Sequence, residues 1–149
     1  MKYPGFEPKA ELVLTRTFDA PRELVFELWT DPKHLAHWWG PKGFTTTVHE
    51  MDVRPGGAWR YSMRGPDGVD YPFNGEFVEV VKLEKLVSIG TIHEGPDHKI
   101  WTEAVFTDRD GKTHVRIHQV YSFESFATKG APIGWSMQFD RLEKYLVAL

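Results

Sequence analysis

Four polar-tipped aromatic and amide side chains occupy alternating positions in two β-like segments of the chain. Trp59 and Tyr61 share one strand face, and Gln119 and Tyr121 share a face in a later segment rich in valine and isoleucine. Indole and phenol rings combine an apolar body with one hydrogen-bonding tip, so such faces suit a small, largely apolar ligand. Taken singly, each ring is more typical of a protein core.

The amide of Gln119 interrupts an otherwise apolar face that also carries Val115 and Ile117. A buried amide needs hydrogen-bond partners on both its oxygen and its nitrogen. Two interpretations stay open at this point. The amide either binds a ligand, or it bonds to Ser136, Gln138 or a tyrosine and serves only the fold.

The histidines offer two pairs to test as metal ligands. His34 and His37 lie three residues apart in a predicted short helix, and His114 and His118 share one strand face. Neither pair has a third ligand at a characteristic spacing such as His-Glu-x-x-His. We therefore predict solvated histidines and no metal site.

Covalent and cofactor-dependent catalysis find no support in the motifs. No serine lies in a Gly-x-Ser-x-Gly elbow, and there is neither a phosphate-binding loop nor a dinucleotide fingerprint, so no cofactor is predicted. Acid–base chemistry needs only a cavity and one titratable group beside the substrate. The candidates for that group are Tyr61, Tyr121 and, if its strand face turns inward, Glu76.

The composition excludes several further classes of protein. The 149 residues contain no cysteine, which excludes disulfides, thiolate metal sites and a cysteine nucleophile. The sequence has no run of 18 apolar residues, so we expect no membrane-spanning segment. A formal net charge of −3 argues against a nucleic-acid-binding face. The amino-terminal segment lacks the apolar region of a signal peptide. We expect one cytoplasmic domain over residues 1–149.

The elements that must position the candidate residues begin with an arm over residues 1–10 and a strand over 11–18. Two short helices follow. Asp19-Ala20-Pro21 opens the first, with Asp19 or Ala20 as its cap. Thr30-Asp31-Pro32 ends that helix and caps the second, which Gly40-Pro41 terminates.

A series of about six antiparallel strands then alternates with glycine- and proline-rich turns, including a turn at 94–97. Gly75 is predicted to be a bulge. A closing helix after Pro132 presents apolar side chains at helical spacing. This helix is the available cover for the apolar face of the sheet, so the fold class is α+β. The predicted strands are 44–53, 58–63, 71–81, 86–93, 100–107 and 113–123.

Several motifs, spread over residues 10–149, resemble the family named for the activator of the 90-kDa heat-shock protein (Hsp) ATPase. The likeness is to the carboxy-terminal domain of that activator, which belongs to the START-like (SRPBCC) helix-grip superfamily. The motifs are Arg16–Pro21, Trp29–Pro32, Trp38–Pro41, Arg54–Tyr61, Gly75–Phe77, Glu84–Val87, Gly134-Trp135, and Leu142 with Tyr145-Leu146.

The resemblance implies a curved sheet of about six to seven strands wrapped around the carboxy-terminal helix, with a cavity where the two diverge. If the face that carries Ser88 and Gly90 turns inward, their small side chains enlarge that cavity; alternation alone does not decide this. We expect Trp38 and Trp39 at the mouth. The full set of expected cavity residues is Trp38, Trp39, Trp59, Tyr61, Phe73, Gln119, Tyr121, Trp135, Gln138 and Phe139.

The function expected from this reading is the binding of a small hydrophobic or aromatic molecule. Two alternatives stay open: a cyclase- or hydrolase-like enzyme that uses the same cavity, and a module that binds a chaperone and stimulates its ATPase, as the family name implies. Neither nucleic acid nor a membrane is an expected partner. The sequence leaves the oligomeric state open.

Overall fold

The computed structural model describes residues 4–92, 95 and 97–149, except for the side chain of Phe126. The start of the predicted arm and two of the four residues of the predicted turn at 94–97 therefore lie outside the described residues. The elements are, in chain order, β1 (Ala10–Phe18), α1 (Arg22–Thr30), α2 (Pro32–Trp38), β2 (Thr45–Met51), β3 (Ala58–Arg64), β4 (Asp70–Val81), β5 (Lys85–Thr91), β6 (Lys99–Arg109), β7 (Lys112–Tyr121) and α3 (Phe126–Ala148).

The strands form one seven-stranded antiparallel sheet in the order β1-β7-β6-β5-β4-β3-β2, which leaves β1 and β2 as open edges. The helix α3 packs against β1 and α2, and α1 packs against β6 and β7. This arrangement confirms the predicted α+β fold with two short helices after the first strand and a long closing helix. No helix in the described part of the chain is long and apolar enough to cross a membrane.

The ends of the helices differ in part from the prediction. Pro21 is the N-cap residue of α1, and no side chain caps that helix. For α2 the predicted cap is confirmed, since the Asp31 carboxylate accepts a hydrogen bond from the backbone nitrogen of Lys33 at 2.9 Å. A capping carboxylate and a proline at the first helical position are both typical of a helix start.

The long helix α3 begins before Pro132, so the predicted start after this proline is wrong. Ser125 accepts a hydrogen bond from the Ala127 nitrogen at 3.1 Å, and its own nitrogen donates to Thr128 Oγ1 at 3.0 Å. This capping box satisfies the first free amides and starts the helix at Phe126. Pro132 lies exposed within the helix, where its missing N–H removes one helical hydrogen bond.

The main core lies between the inner face of the sheet and the three helices. Its centre contains the fully buried Phe18 and Phe139, whose rings meet edge to face with centroids 5.4 Å apart. A smaller cluster covers the outer face of the sheet, where Phe6 packs over Trp101 and Val120. The residues before β1 thus contribute to packing.

The ring of Trp59 lies across two facing glycines in neighbouring strands. Trp59 pairs with Gly75 of β4, which in turn pairs with Gly90 of β5. A Cβ atom at Gly75 would lie 2.4 Å from Trp59 Cζ2, and one at Gly90 would lie 2.5 Å from the same atom. Gly75 is therefore a close-approach position, and the predicted bulge there is wrong, since the irregularity falls between Phe77 and Glu79.

Candidate functional site

A cavity of about 490 Å³ separates the inner face of the sheet from the first half of α3. This volume is within the roughly 300–1,000 Å³ of small-molecule sites. The helix side of the cavity carries small residues spaced three or four positions apart on one face of α3, namely Ala127, Gly130, Ala131 and Gly134. A Cβ atom at either glycine would meet no atom within 4 Å. The space therefore depends on the small size of the helix residues.

An aromatic wall also lines the cavity and consists of Trp39, Trp59, Tyr61, Phe73 and Trp135. The Tyr61 ring is stacked between Trp59 and Phe73, at centroid distances of 5.6 and 5.0 Å. Trp39 meets Tyr61 edge to face at 5.9 Å and Trp135 at 5.3 Å. The wall is thus one continuous set of ring contacts that joins β3 and β4 to α3.

The predicted cavity residues other than Trp38 and Phe139 all line this space. Trp38 instead lies fully buried in the core, where its indole nitrogen donates to the Leu28 carbonyl at 2.9 Å. Phe139 is fully buried against Phe18. Since α2 ends at Trp38, the backbone is extended at Trp39, which directs that adjacent indole to the cavity.

The face of β5 that alternation left undecided turns inward. Leu86, Ser88 and Gly90 line the cavity, as does Thr102 of the neighbouring strand, which the sequence reasoning did not select. The alternation of Ile100, Thr102 and Ala104 places these residues on one face of β6, but it does not indicate which face. The pairing of Thr102 with Ser88 in the folded sheet determines that this face is the inner one.

Gln119 is held by three side chains of the cavity. Its Nε2 donates to Thr102 Oγ1 at 3.0 Å, and its Oε1 accepts from the Trp135 indole at 2.9 Å and from the Tyr121 hydroxyl. The expected tyrosine partner is present, whereas neither Ser136 nor Gln138 bonds to the amide. The network joins β6 and β7 to α3 through Trp135, which is also part of the aromatic wall.

The tyrosine hydroxyls of the cavity are proton donors rather than bases. Burial raises the pKa of Tyr61 above its ordinary value, and a hydrogen bond with the Trp39 side chain opposes this only in part. Burial likewise raises the pKa of Tyr121. The third acid–base candidate, Glu76, is exposed on the outer face of β4, away from the cavity lining.

The loop that carries Trp39 is held to α3 by two side chains. Gln138 Oε1 accepts from the Gly40 nitrogen at 2.8 Å. One guanidinium nitrogen of Arg141 donates to four backbone carbonyls at 2.9 to 3.3 Å, those of Trp39, Gly40, Pro41 and Phe44. We call this set of contacts the loop clamp. It fixes the position of the Trp39 ring relative to the helix.

Two histidines on the outer sheet face have protein partners. His118 is only 8% exposed, since it packs edge-on against Trp101 and its Nε2 lies 2.6 Å from Glu11 Oε1. His114 is half-buried beside Thr17, and desolvation lowers its pKa. The prediction placed both on the correct face, but their description as solvated is wrong for His118.

The histidines of α2 face the end of α3. His34 Nδ1 lies 2.7 Å from the Tyr145 hydroxyl, and the His37 ring stacks on Tyr145. Potential ligand atoms of Glu27, Asp31 and His34 also lie within 4.8 Å of one another. The sequence reasoning tested only the pair of histidines and missed this grouping. Asp31 and His34 already have protein partners, and we assign the group no ligand.

Comparisons with known proteins agree with this architecture. A family model described as "Activator of Hsp90 ATPase homolog 1-like protein" matches residues 19–147. Among curated proteins, none matched the chain. One similar solved structure is protein CV1439 from Chromobacterium violaceum, with 25% identity and a TM-score of 0.84 over 90% of this chain and 94% of that one. Another is protein Ms6760 from Mycobacterium smegmatis, with 27% identity and a TM-score of 0.80 over 93% of this chain and 91% of that one.

A third similar structure is DynU16, a protein of the dynemicin biosynthetic locus. It shares 20% identity at a TM-score of 0.74, over 93% of this chain and 48% of DynU16. At this identity the likeness shows the fold alone.

Proposed function

The chain belongs to the activator of Hsp90 ATPase homolog 1-like family, and we propose that it binds a small, largely apolar or aromatic molecule. The observation that carries this proposal is the cavity of about 490 Å³ lined by the aromatic wall. Rings that stack on one another and on a ligand supply apolar contact area at little cost in side-chain entropy.

Two glycines in α3 lower the stability of the helix where it borders the cavity. Protein interiors are normally close-packed, and unfilled apolar space lowers the stability of a fold. Gly130 and Gly134 lie inside α3, where each is less favourable than alanine by about 1 kcal/mol. A side chain at either position would meet no neighbouring atom at its Cβ and would favour the helix. Their presence supports binding as the use of the space.

An enzyme of the cyclase or hydrolase type has weaker support in the same cavity. General acid–base catalysis works best with a group whose pKa lies near the operating pH. The raised pKa values of Tyr61 and Tyr121 move these groups further from neutrality. Both hydroxyls suit the orientation of a bound molecule better than the removal of a proton.

The direct test is saturable binding of a neutral fluorescent probe, N-phenyl-1-naphthylamine, to the purified protein. The matched variants are Gly134→Phe, which introduces a ring on the cavity side of α3, and Ile133→Phe, which introduces it one residue earlier at a position 64% exposed. We expect the first variant to weaken binding by at least about tenfold, as loss of a buried aromatic contact would. The second should bind as the wild type does.

Native mass spectrometry of protein purified from its host complements the titration, because a retained ligand adds a defined mass. Absence of saturable binding, or equal binding by both phenylalanine variants, would refute the proposal. Stimulation of a chaperone ATPase by a protein that binds no probe would instead support the chaperone-stimulating alternative that the family name suggests.

A further inference from the structure

Three polar side chains form a line across the otherwise apolar floor of the cavity. Ser88 of β5 lies opposite Thr102 of β6, and Thr102 lies opposite Gln119 of β7. All three line the cavity. Neighbouring strands lie about 4.8 Å apart, so the line is about 10 Å long. We call it the polar row.

The polar row has hydrogen-bond donors that the protein does not use. Both bonds to Gln119 Oε1 come from neighbouring side chains, and one N–H of Nε2 goes to Thr102 Oγ1, which leaves the second N–H. Because Thr102 Oγ1 receives that bond, its own proton points elsewhere. Among the described residues, neither the Thr102 hydroxyl nor the Ser88 hydroxyl donates to an acceptor.

Two further unused donors belong to other side chains that line the cavity. Trp59 Nε1 and Gln138 Nε2 are buried and have no hydrogen-bond partner within the described part of the chain. Both belong to cavity-lining residues, and Gln138 is only 6% exposed. Among the described residues, no side-chain oxygen is left buried and unpaired in the same way. The two buried lining atoms without a partner are therefore both N–H donors, which an acceptor on a ligand would satisfy.

The lining also limits the charge of an occupant. It contains no lysine, arginine or histidine among the described residues, and its one carboxylate, that of Glu50, belongs to an exposed residue. A buried anionic group would lack a counter-charge, and burying an unpaired charge is strongly unfavourable. A neutral acceptor, such as a carbonyl oxygen, meets the unused donors without this penalty.

We infer that the polar row of Ser88, Thr102 and Gln119 recognises a carbonyl oxygen of a neutral, largely aromatic ligand. This inference rests on the proposed binding function and specifies the class of molecule bound. The rings of the ligand lie against the aromatic wall, while its carbonyl oxygen accepts hydrogen bonds from the floor.

The test compares 9-fluorenone with fluorene, which differ by one carbonyl group on the same ring system. Affinities are measured by quenching of tryptophan fluorescence for the wild type, Ser88→Ala and Thr102→Val. The affinity ratio of fluorenone to fluorene should be about three to ten times higher in the wild type than in either variant, the range for loss of one neutral hydrogen bond. Binding of fluorene should change less than twofold, which also shows that the variants keep the cavity.

Ser62→Ala is the matched control. Ser62 lies on the outer face of β3, where its hydroxyl lies 2.8 Å from His49 Nε2, and the variant should keep the wild-type affinity ratio. Equal ratios in all four proteins would overturn the inference and leave the proposed function intact. Failure of the wild type to bind either compound would overturn the proposed function, and the inference with it.

Discussion

Replacement of Gln119 by leucine is expected to destabilise the protein through the two donors that the amide satisfies. The Trp135 indole, in a residue 8% exposed, and the Tyr121 hydroxyl, in a residue 3% exposed, would both lose their acceptor. A buried donor left unpaired costs about 1–3 kcal/mol. The Tyr121 hydroxyl can rotate and recover part of that loss, so we expect about 2–4 kcal/mol in total.

This loss should be visible as a lower urea midpoint with an unchanged m value. For a chain of this size each kcal/mol lowers Tm by about 2–4 °C, so the melting temperature should fall by roughly 5–15 °C. Circular dichroism at a helix band reports the transition.

The matched background is Trp135→Phe, which removes one of the two donors and retains an aromatic ring. In that background the leucine substitution at Gln119 should cost about 1 kcal/mol less, because one donor no longer needs an acceptor. A change in unfolding free energy below about 0.5 kcal/mol in the wild-type background, or strict additivity in the double variant, would refute the reasoning.

Three further outcomes follow from the cavity and its surroundings. Because burial raises the pKa of Tyr61 and Tyr121, the folded state holds these protons more tightly than the unfolded chain does. Their contribution to the free energy of unfolding is fully present below about pH 10. Above that pH it falls by up to about 1.4 kcal/mol per pH unit for each tyrosine. Phenylalanine at both positions should flatten this decline in urea titrations, and an unaltered decline would contradict the assignment. Gly90→Ala should destabilise by about 1–3 kcal/mol, since its Cβ would lie 2.5 Å from both the Asn74 carbonyl oxygen and the Trp59 ring. An unchanged midpoint would contradict this close packing. Gly134→Ala should stabilise by about 0.5–1 kcal/mol in thermal melts, and a loss would contradict the open space at that position.

The order of the elements was predictable because each depends on a local pattern. Two-residue alternation marks the strands and glycine-rich turns separate them, while apolar side chains at helical spacing mark α3. The predicted start of α3 is wrong, because a proline inside a helical pattern predicts a boundary and Pro132 does not form one. The capping box of Ser125 and Thr128 determines that start, and the exposed proline is tolerated inside the helix.

The partners of Gln119 could not be read from such patterns. The sequence indicated that its amide needed hydrogen bonds, and Tyr121, two residues away, was among the expected partners. Thr102 becomes a partner only through the β6–β7 register, and Trp135 only through the rotation of α3 about its axis. Both relations are tertiary and depend on how the whole sheet and helix pack.

The same dependence on tertiary packing explains why local patterns did not predict the surroundings of His118, Trp38 and Trp39. Alternation placed His118 on the outer face, but only the folded chain brings Trp101 and Phe6 over that face. Trp38 and Trp39 are adjacent in sequence, yet α2 ends between them, so one indole enters the core and the other the cavity.

The loop clamp divides α3 into two parts that differ in how they can move. Gln138 and Arg141 tie the loop after α2 to the second half of the helix, so any displacement there carries Trp39 with it. The first half contains Gly130, Pro132 and Gly134, and among the described side chains no hydrogen bond joins this half to the loop. This first half lines the cavity and is tied to the sheet by the hydrogen bond from the Trp135 indole to Gln119. For a molecule that leaves past this half, the rate of exchange would depend on the release of that bond and on the bending of a few helical turns.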